Sequence, residues 1–389
     1  MTDLIAIAIV VTGQFYVCRW SHARLRRPLG TVWARRATVA LAALLAALLA
    51  VLWLDNAWLG HSWETWRRLG TPGPSVARAL SFTAGIWVAG SAVGTLLLLG
   101  EALWRRRRPT DLGRRSVLGQ AARAAALASP FGVAAYATLR ARRQFELREV
   151  AFPTSDLPPP LEGFRIAVLT DIHFGPYLSG PELDHVVAMA NETRPHLTVV
   201  AGDLITRVDD PLEGCLSRLA PLRAQVGVFG CLGNHEIYAR CQDYAEQRAR
   251  SMGIEFLRRR NHLVQWRGAR LNLAGVDYQR QQRRYLVGAE RLIQPGAVNL
   301  LLSHNPDVFP VAADLGYDLV VGGHTHGGQV TVEILEQTLN PGRFFTPFVA
   351  GLYRRGRSSL YVSRGIGTIN LPMRLGARPE VSLLTLRRA

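Results

Sequence analysis

Lysine is absent from this 389-residue chain, so all 46 of its basic residues are arginine. Biased codon usage explains that better than any function, because arginine solvates a surface as lysine does. Cysteine is scarce: Cys18, Cys215, Cys231 and Cys241 include no C-x-x-C pair. Neither a structural zinc site nor a disulfide framework is indicated, although one bridge among the last three stays open outside the cytoplasm. Acidic residues are few as well, 29 in all, and the shortage is local. Residues 1–150 hold 20 arginines and 7 acids, whereas 151–389 hold 26 and 22. The arginines of the first part flank apolar runs and form no patch with interleaved aromatics. No nucleic-acid partner is expected, and membrane topology accounts for the charge.

Four apolar segments precede residue 150. Leu4 to Val17 is interrupted by Thr12, Gly13 and Gln14, while Ala37 to Leu54 runs for 18 residues without a charge, against about 20 needed to span a bilayer. Leu80 to Gly100 carries Gly85, Gly90 and Gly94, which suit close helix packing. Ser116 to Leu139 is alanine-rich, holds Arg123 and Pro130, and follows Arg114-Arg115; it reads either as an internal twin-arginine export signal or as a final span. Arginines cluster at 19–36 and 105–115, so the positive-inside rule puts those loops in the cytoplasm. With four spans, the remainder is expected on the extracytoplasmic side of the cell membrane; if the fourth does not cross, it lies in the cytoplasm. Arg140, Arg142, Arg143 and Arg148 run against the four-span topology.

The expected organisation is a transmembrane region over 1–150, a proline-rich spacer over 151–161 with Pro153 and Pro158 to Pro160, and a layered α/β domain over 162–389. In that domain Arg165 to Thr170, Leu197 to Val200, Val226 to Cys231, Val298 to Leu302 and Leu319 to Val321 read as buried strands. Pro181 to Thr193, Pro211 to Ala224 and Asp243 to Met252 read as helices between them. Leu263 to Gln265 with Arg270 to Gly275 reads as a hairpin, and Ser359 to Ser363 with Ser382 to Leu386 as closing strands. Each of the five buried strands breaks into the same kind of polar residue: Asp171-Ile172-His173, Gly202-Asp203, Gly233-Asn234-His235-Glu236, Ser303-His304-Asn305 and Gly323-His324-Thr325-His326. Loops at the carboxyl ends of such strands form the site crevice. Imidazoles, carboxylates and a carboxamide then meet in one small volume, enough to hold two divalent metals.

This ordered set, D-x-H, G-D, G-N-H-E, H and G-H-T-H, resembles that of the calcineurin-like metallophosphoesterases. Gly351-Leu352-Tyr353 and Tyr361 to Thr368 look like the membrane-associated bacterial phosphodiesterase branch. The resemblance implies an αββα sandwich preceded by an all-α transmembrane region. It also implies one metal on Asp171, His173 and His326, another on Asn234, His304 and His324, and Asp203 between them. Manganese, iron or zinc suits such mixed ligands. His235 is implied as the catalytic residue, stabilising phosphate or giving a proton to the leaving oxygen, with Glu236 orienting it or another ligand. Thr206 stands where many members carry a further Asp, so hydrogen bonding there is expected to differ.

Other polar residues are read more plainly. His185 and His196 are expected to be ordinary surface or packing residues, Arg258 to Arg260 with His262 to form a solvated basic face rather than a phosphate clamp, and Arg364 to be able to reach a phosphate oxygen. The function so implied is a membrane-anchored, dinuclear-metal phosphohydrolase acting on a phospholipid or lipid-linked phosphate ester. The alternatives are a cytoplasm-facing pyrophosphatase for a nucleotide-linked lipid precursor, a protein phosphatase, and a non-catalytic binding module on the same fold.

Overall fold

The computed structural model describes residues 117–280, 284–334 and 337–389 and, before these, parts of 18–47 and 82–100. Residues 141–389 form one compact unit, and the helical residues before them belong to another. In the earlier unit, helix α1 (Val117–Leu139) contains Pro130. Gly90 lies so close to this helix that a Cβ on it would sit 2.5 Å from Phe131 Cδ1, and the rings of Trp87 and Phe131 are 5.2 Å apart. Close packing at a small residue is what the glycines of 80–100 foretold. Among the described residues no helix is long and apolar enough to cross a membrane. The first expected span lies outside them, and the second and third lie partly outside.

The second unit is built on two six-stranded sheets. The first runs β1 (Glu146–Thr154), β14 (Glu380–Arg388), β2 (Arg165–Leu169), β3 (Leu197–Ala201), β4 (Val228–Cys231), β5 (Ile254–Phe256). The second runs β12 (Gly351–Arg355), β13 (Ser358–Val362), β9 (Leu319–Gly322), β8 (Val298–Leu302), β7 (Ala269–Gly275), β6 (Arg260–Trp266). β2 to β5 are parallel, as are β7, β8, β9 and β13. A small pair, β10 (Val332–Ile334) and β11 (Gln337–Leu339), stands apart from both sheets.

Strands buried on both faces read as unbroken apolar runs, and the side-chain period of two sorts these runs into layers. Val199 and Ala201 of β3, Leu300 and Leu302 of β8 and Val321 of β9 share one core between the sheets. Their neighbour Val200 turns instead to a second core under helices α2 (Gly180–Glu192), α3 (Leu212–Leu219) and α5 (Gln242–Ser251). Leu301 and Val320 turn to a third core under α6 (Phe309–Leu315). Three cores between four layers make an αββα sandwich. The short helix α4 (Asn234–Tyr238) follows β4 directly.

Two expectations need correction. The segment 151–161 is no spacer: residues 146–154 form edge strand β1, parallel to β14 with Glu146 opposite Glu380, and Phe152, Leu157 and Leu161 are buried. An edge position tolerates Pro153, since its missing N–H weakens no central ladder. The helix expected over 211–224 stops at Leu219, because Pro221 has no N–H with which to continue the ladder. All four cysteines are free.

Candidate metal centre

The carboxyl ends of β2, β3, β4, β8 and β9 carry the eight side chains singled out from the sequence, and the structure brings seven of them, all but Asn234, into close clusters. Three overlapping clusters of ligand atoms, each within 4.8 Å, comprise Asp171, His173 and His326; His173, Asp203 and His235; and Asp203, His304 and His324. Asp203 Oδ2 stands 3.6 Å from His173 Nε2 and 2.9 Å from His304 Nε2, so one carboxylate reaches both sides of the centre. Asp171 Oδ1 lies 3.4 Å from His326 Nε2. Asn234 is buried and its Oδ1 has no hydrogen-bond partner.

The backbone here is unlike its surroundings. Asp171, His173, Asp203, His324 and His326 all have positive φ, between 47° and 72°. Non-glycine residues in the left-handed region carry strain that persists only where the surroundings over-determine it. Close packing does so. A Cβ on Gly233 would fall 2.1 Å from Asp203 Oδ1, and one on Gly323 would fall 2.2 Å from Asp171 Oδ2. Glycine is required at both positions because the carboxylates occupy the space a side chain would fill.

Hydrogen bonds decide which imidazole nitrogen is bare. His304 Nδ1 lies 2.7 Å from the Ala201 carbonyl and His235 Nδ1 2.6 Å from the Thr206 carbonyl. A carbonyl only accepts, so both rings carry a proton at Nδ1 and turn Nε2 to the centre. His173 Nδ1 bonds Thr206 Oγ1 at 2.9 Å; the threonine at the departing position thus holds a ligand directly. His173 Nε2 and His326 Nε2 face each other at 3.1 Å. Two nitrogens at that distance need a proton or a cation between them. Together with the orphaned Asn234 Oδ1, these inward lone pairs fit divalent metal ions.

Charge in the metal-free cluster is uneven. Burial pushes Asp171 up to about 6, with His304 opposing and Asp203 adding. Burial also pushes His173 down to about 3 and His324 to about 4. For His304 burial works in the same direction, but the carboxylates of Asp203 and Asp171 prevail and push it up to about 10. Asp203 is held well below the usual carboxylate range, burial being outweighed by His304 first and then by the other imidazoles. The proton on His304 stands where a cation would otherwise compensate Asp203.

Glu236 does not orient His235. Its fully buried carboxylate accepts from the backbone N–H of Gly233 at 2.7 Å, Asp203 at 3.1 Å and Leu204 at 2.7 Å, tying two ligand loops together. Arg364 is engaged with Glu146 at 3.0 Å and Glu380 at 3.7 Å, so the phosphate contact considered for it gives way to an ion pair. Arg258 pairs with Asp243, Glu246 and Asp277, and Arg260 with Glu246 and Glu255, which makes that stretch an ion-paired face. His196 packs on Phe164 and Trp266 and accepts the Arg165 N–H; His185 packs on Phe145.

Two residues at the centre escaped the sequence reading. Arg374, 0% exposed, donates to the carbonyls of Gly367, Arg364, His326 and Ala377 and so pins the His326 loop. A single arginine in an irregular tail gives no periodic signal. Tyr278 places its hydroxyl 3.5 Å from His324 Nε2; its position just past β7, level with the other ligand loops, was the available clue.

Carboxylates, imidazoles and a carboxamide at the carboxyl ends of parallel strands in an αββα sandwich define a metal-dependent hydrolase. Residues 164–328 match the family model for calcineurin-like phosphoesterases, and the chain belongs to that family. It is 30% identical over 311 residues to the Danio rerio transmembrane protein with metallophosphoesterase domain, taking in 76% of this chain and 69% of that one. The Bos taurus protein of the same name is 31% identical over 257 residues, 62% of this chain and 56% of its own length. Phosphodiesterase YaeI of Escherichia coli (strain K12) is 28% identical over 297 residues, 71% of this chain and 99% of that protein.

Proposed function

We propose that the protein hydrolyses a phosphodiester or monoester of a phospholipid or other lipid-linked phosphate at a membrane surface. In this reading Asp171, His173 and His326 hold one divalent ion, Asn234, His304 and His324 hold a second, and Asp203 serves both. Manganese, iron or zinc, when bound, would supply Lewis acidity at the phosphate and a nucleophile at neutral pH. The chain's own part is positional. Asp203 is fixed by the His235 N–H on Oδ1 at 3.0 Å, which leaves Oδ2 for the centre. His235, with its Nδ1 proton committed to the Thr206 carbonyl, presents Nε2 4.0 Å from Asp203 Oδ2. A proton taken from solvent onto that bare Nε2 would pass to the leaving oxygen as its bond to phosphorus breaks and the bond from water oxygen forms.

The lipid assignment is carried by one observation. Phe344 and Phe345 are 90% and 67% exposed, although aromatic side chains of that size are ordinarily covered. Their loop is fastened to the metal centre: Asn340 Nδ2 donates to the Gly327 carbonyl at 2.9 Å, one residue past His326. Aromatic residues that can enter the head-group layer therefore stand on a segment whose start is fastened to the His326 loop. The names of the two vertebrate relatives and the arginine distribution along 1–150 support an anchored, multi-pass protein, whose catalytic unit lies on the extracytoplasmic side if the fourth segment crosses and in the cytoplasm if it does not. The complete ligand set argues against a binding module.

The test uses the full-length chain with added manganese, comparing bis-p-nitrophenyl phosphate with phosphatidylglycerol in vesicles. Both should be hydrolysed. Phe344→Ser with Phe345→Ser should lose most of the vesicle activity and keep the soluble diester. Vesicle activity absent from the natural chain, or untouched by the double change, would refute the lipid reading, and protease accessibility in intact cells would decide the side.

A further inference from the structure

Beside the metal centre opens a groove of roughly 760 Å³ that none of the metal ligands lines. Arg259, Arg280, Arg284 and Arg291 border it. Several arginines of this unit are neutralised: Arg248 meets Glu213 at 2.6 Å, Arg355 meets Asp314 at 3.1 Å and Arg364 meets Glu146 at 3.0 Å. Among the described residues the four groove arginines make no ion pair. The one acid on the wall, Asp277, is already taken by Arg258 at 3.0 Å. The floor is apolar, with Ile237, Val276, Leu286 and the 67% exposed Val287.

Three contacts join the groove to the reacting groups. Tyr278 lines it and reaches His324. Arg280 lies over the Tyr238 ring at 5.8 Å, and that ring is 5.6 Å from His235. Asn305, next to His304, donates to the Gln279 carbonyl at 2.7 Å, and Gln279 Oε1 accepts from the Leu286 N–H at 3.1 Å. Arg280 and Arg284 thus leave the chain between two clamped points. Four uncompensated guanidiniums over an apolar floor suit one kind of ligand, an apolar body that carries negative charge.

We propose that this groove is a specificity subsite that takes a second anionic group, a carboxylate or a second phosphate, attached through an apolar segment to the phosphate held at the metal centre. The inference rests on the phosphoester reading above and narrows its substrate to dianionic amphiphiles.

A matched pair of diesters tests it: p-nitrophenyl hexyl phosphate and the same compound ending in a carboxylate at the far carbon of the hexyl chain. In the full-length chain the carboxylate ester should have the higher kcat/KM, by about tenfold at low salt, as for one charge-assisted hydrogen bond. That ratio should fall toward one in Arg280→Ala with Arg284→Ala, or in Arg259→Ala with Arg291→Ala, and with added salt. Using the ratio cancels any loss of folding or metal common to both esters. A ratio near one in the natural chain, or a ratio kept in both double variants, overturns the subsite. Should neither ester be hydrolysed, the phosphoester reading fails separately; calorimetric affinities for the two corresponding phosphonates then decide the groove by the same ratio.

Discussion

Asp203 and Asn234 come from loops of the first sheet, and those loops are tied by a buried carboxylate, Glu236, that collects three backbone N–H groups. His326 comes from the second sheet, and its loop is tied by a buried guanidinium, Arg374, that collects four carbonyls. Both halves face one problem. A loop forced into positive φ cannot satisfy its polar groups with a helix or sheet ladder, yet a buried backbone group left unpaired is costly. Where the turn points its N–H groups inward an anion fits, and where it points its carbonyls inward a cation fits. The candidate ligand loops are thus held by buried ions, Glu236 and Arg374, that lie outside the three clusters.

The largest effect is expected where the halves meet. Asp203→Asn should keep the fold and lose the anion both clusters share, lowering kcat on bis-p-nitrophenyl phosphate on the order of a thousandfold. A fall of less than about tenfold would show that the halves work independently. Next comes the contrast between the two buried ions. Glu236→Ala strands three N–H donors and should cost about 3 kcal/mol or more in urea unfolding. Arg374→Met strands carbonyls, which tolerate missing partners better, and should cost about 2 kcal/mol. An Arg374 variant less stable than the Glu236 variant would reverse the comparison.

Protons sharpen it further. His304, pushed up to about 10 mainly by Asp203 against its own burial, is charged at pH 7 in the metal-free protein. Its pairing adds stability that is full below the ordinary histidine value and is lost as pH rises through about 10. A cation that takes the same Nε2 must displace the proton, so metal affinity should rise by about tenfold per pH unit near neutrality. Calorimetry in buffers of different ionisation heat should register that proton.

The parts of this centre that could be read from the sequence are those encoded locally. Each candidate ligand follows an apolar strand by two to four residues, so a buried run that breaks into Asp, Asn or His announced both the strand and the ligand. β1 was hidden because its partner lies at the other end of the chain, Glu146 opposite Glu380, and its charged, proline-bearing residues suit an edge. The fate of Arg364 was hidden with it, since Glu146 is set beside it by that strand. Arg374 left no trace because its four partners are carbonyls, which every residue has.

The smallest effect concerns Thr206, which distinguishes the first half from the second. His173 relies on this hydroxyl at 2.9 Å to hold its Nδ1 proton, whereas His304 uses a main-chain carbonyl that no side-chain change can remove. A hydroxyl is a weaker anchor than a carboxylate, because it draws less charge onto the ligand nitrogen. Thr206→Val should therefore weaken the metal held by Asp171, His173 and His326 by about tenfold and leave the other nearly unchanged. Thr206→Asp should tighten the first. Competition titrations with a chelator would resolve two affinities and follow each separately. Equal weakening of both by the valine would mean that His173 orientation is set elsewhere, for instance by its 4.8 Å ring contacts with His235 and His326.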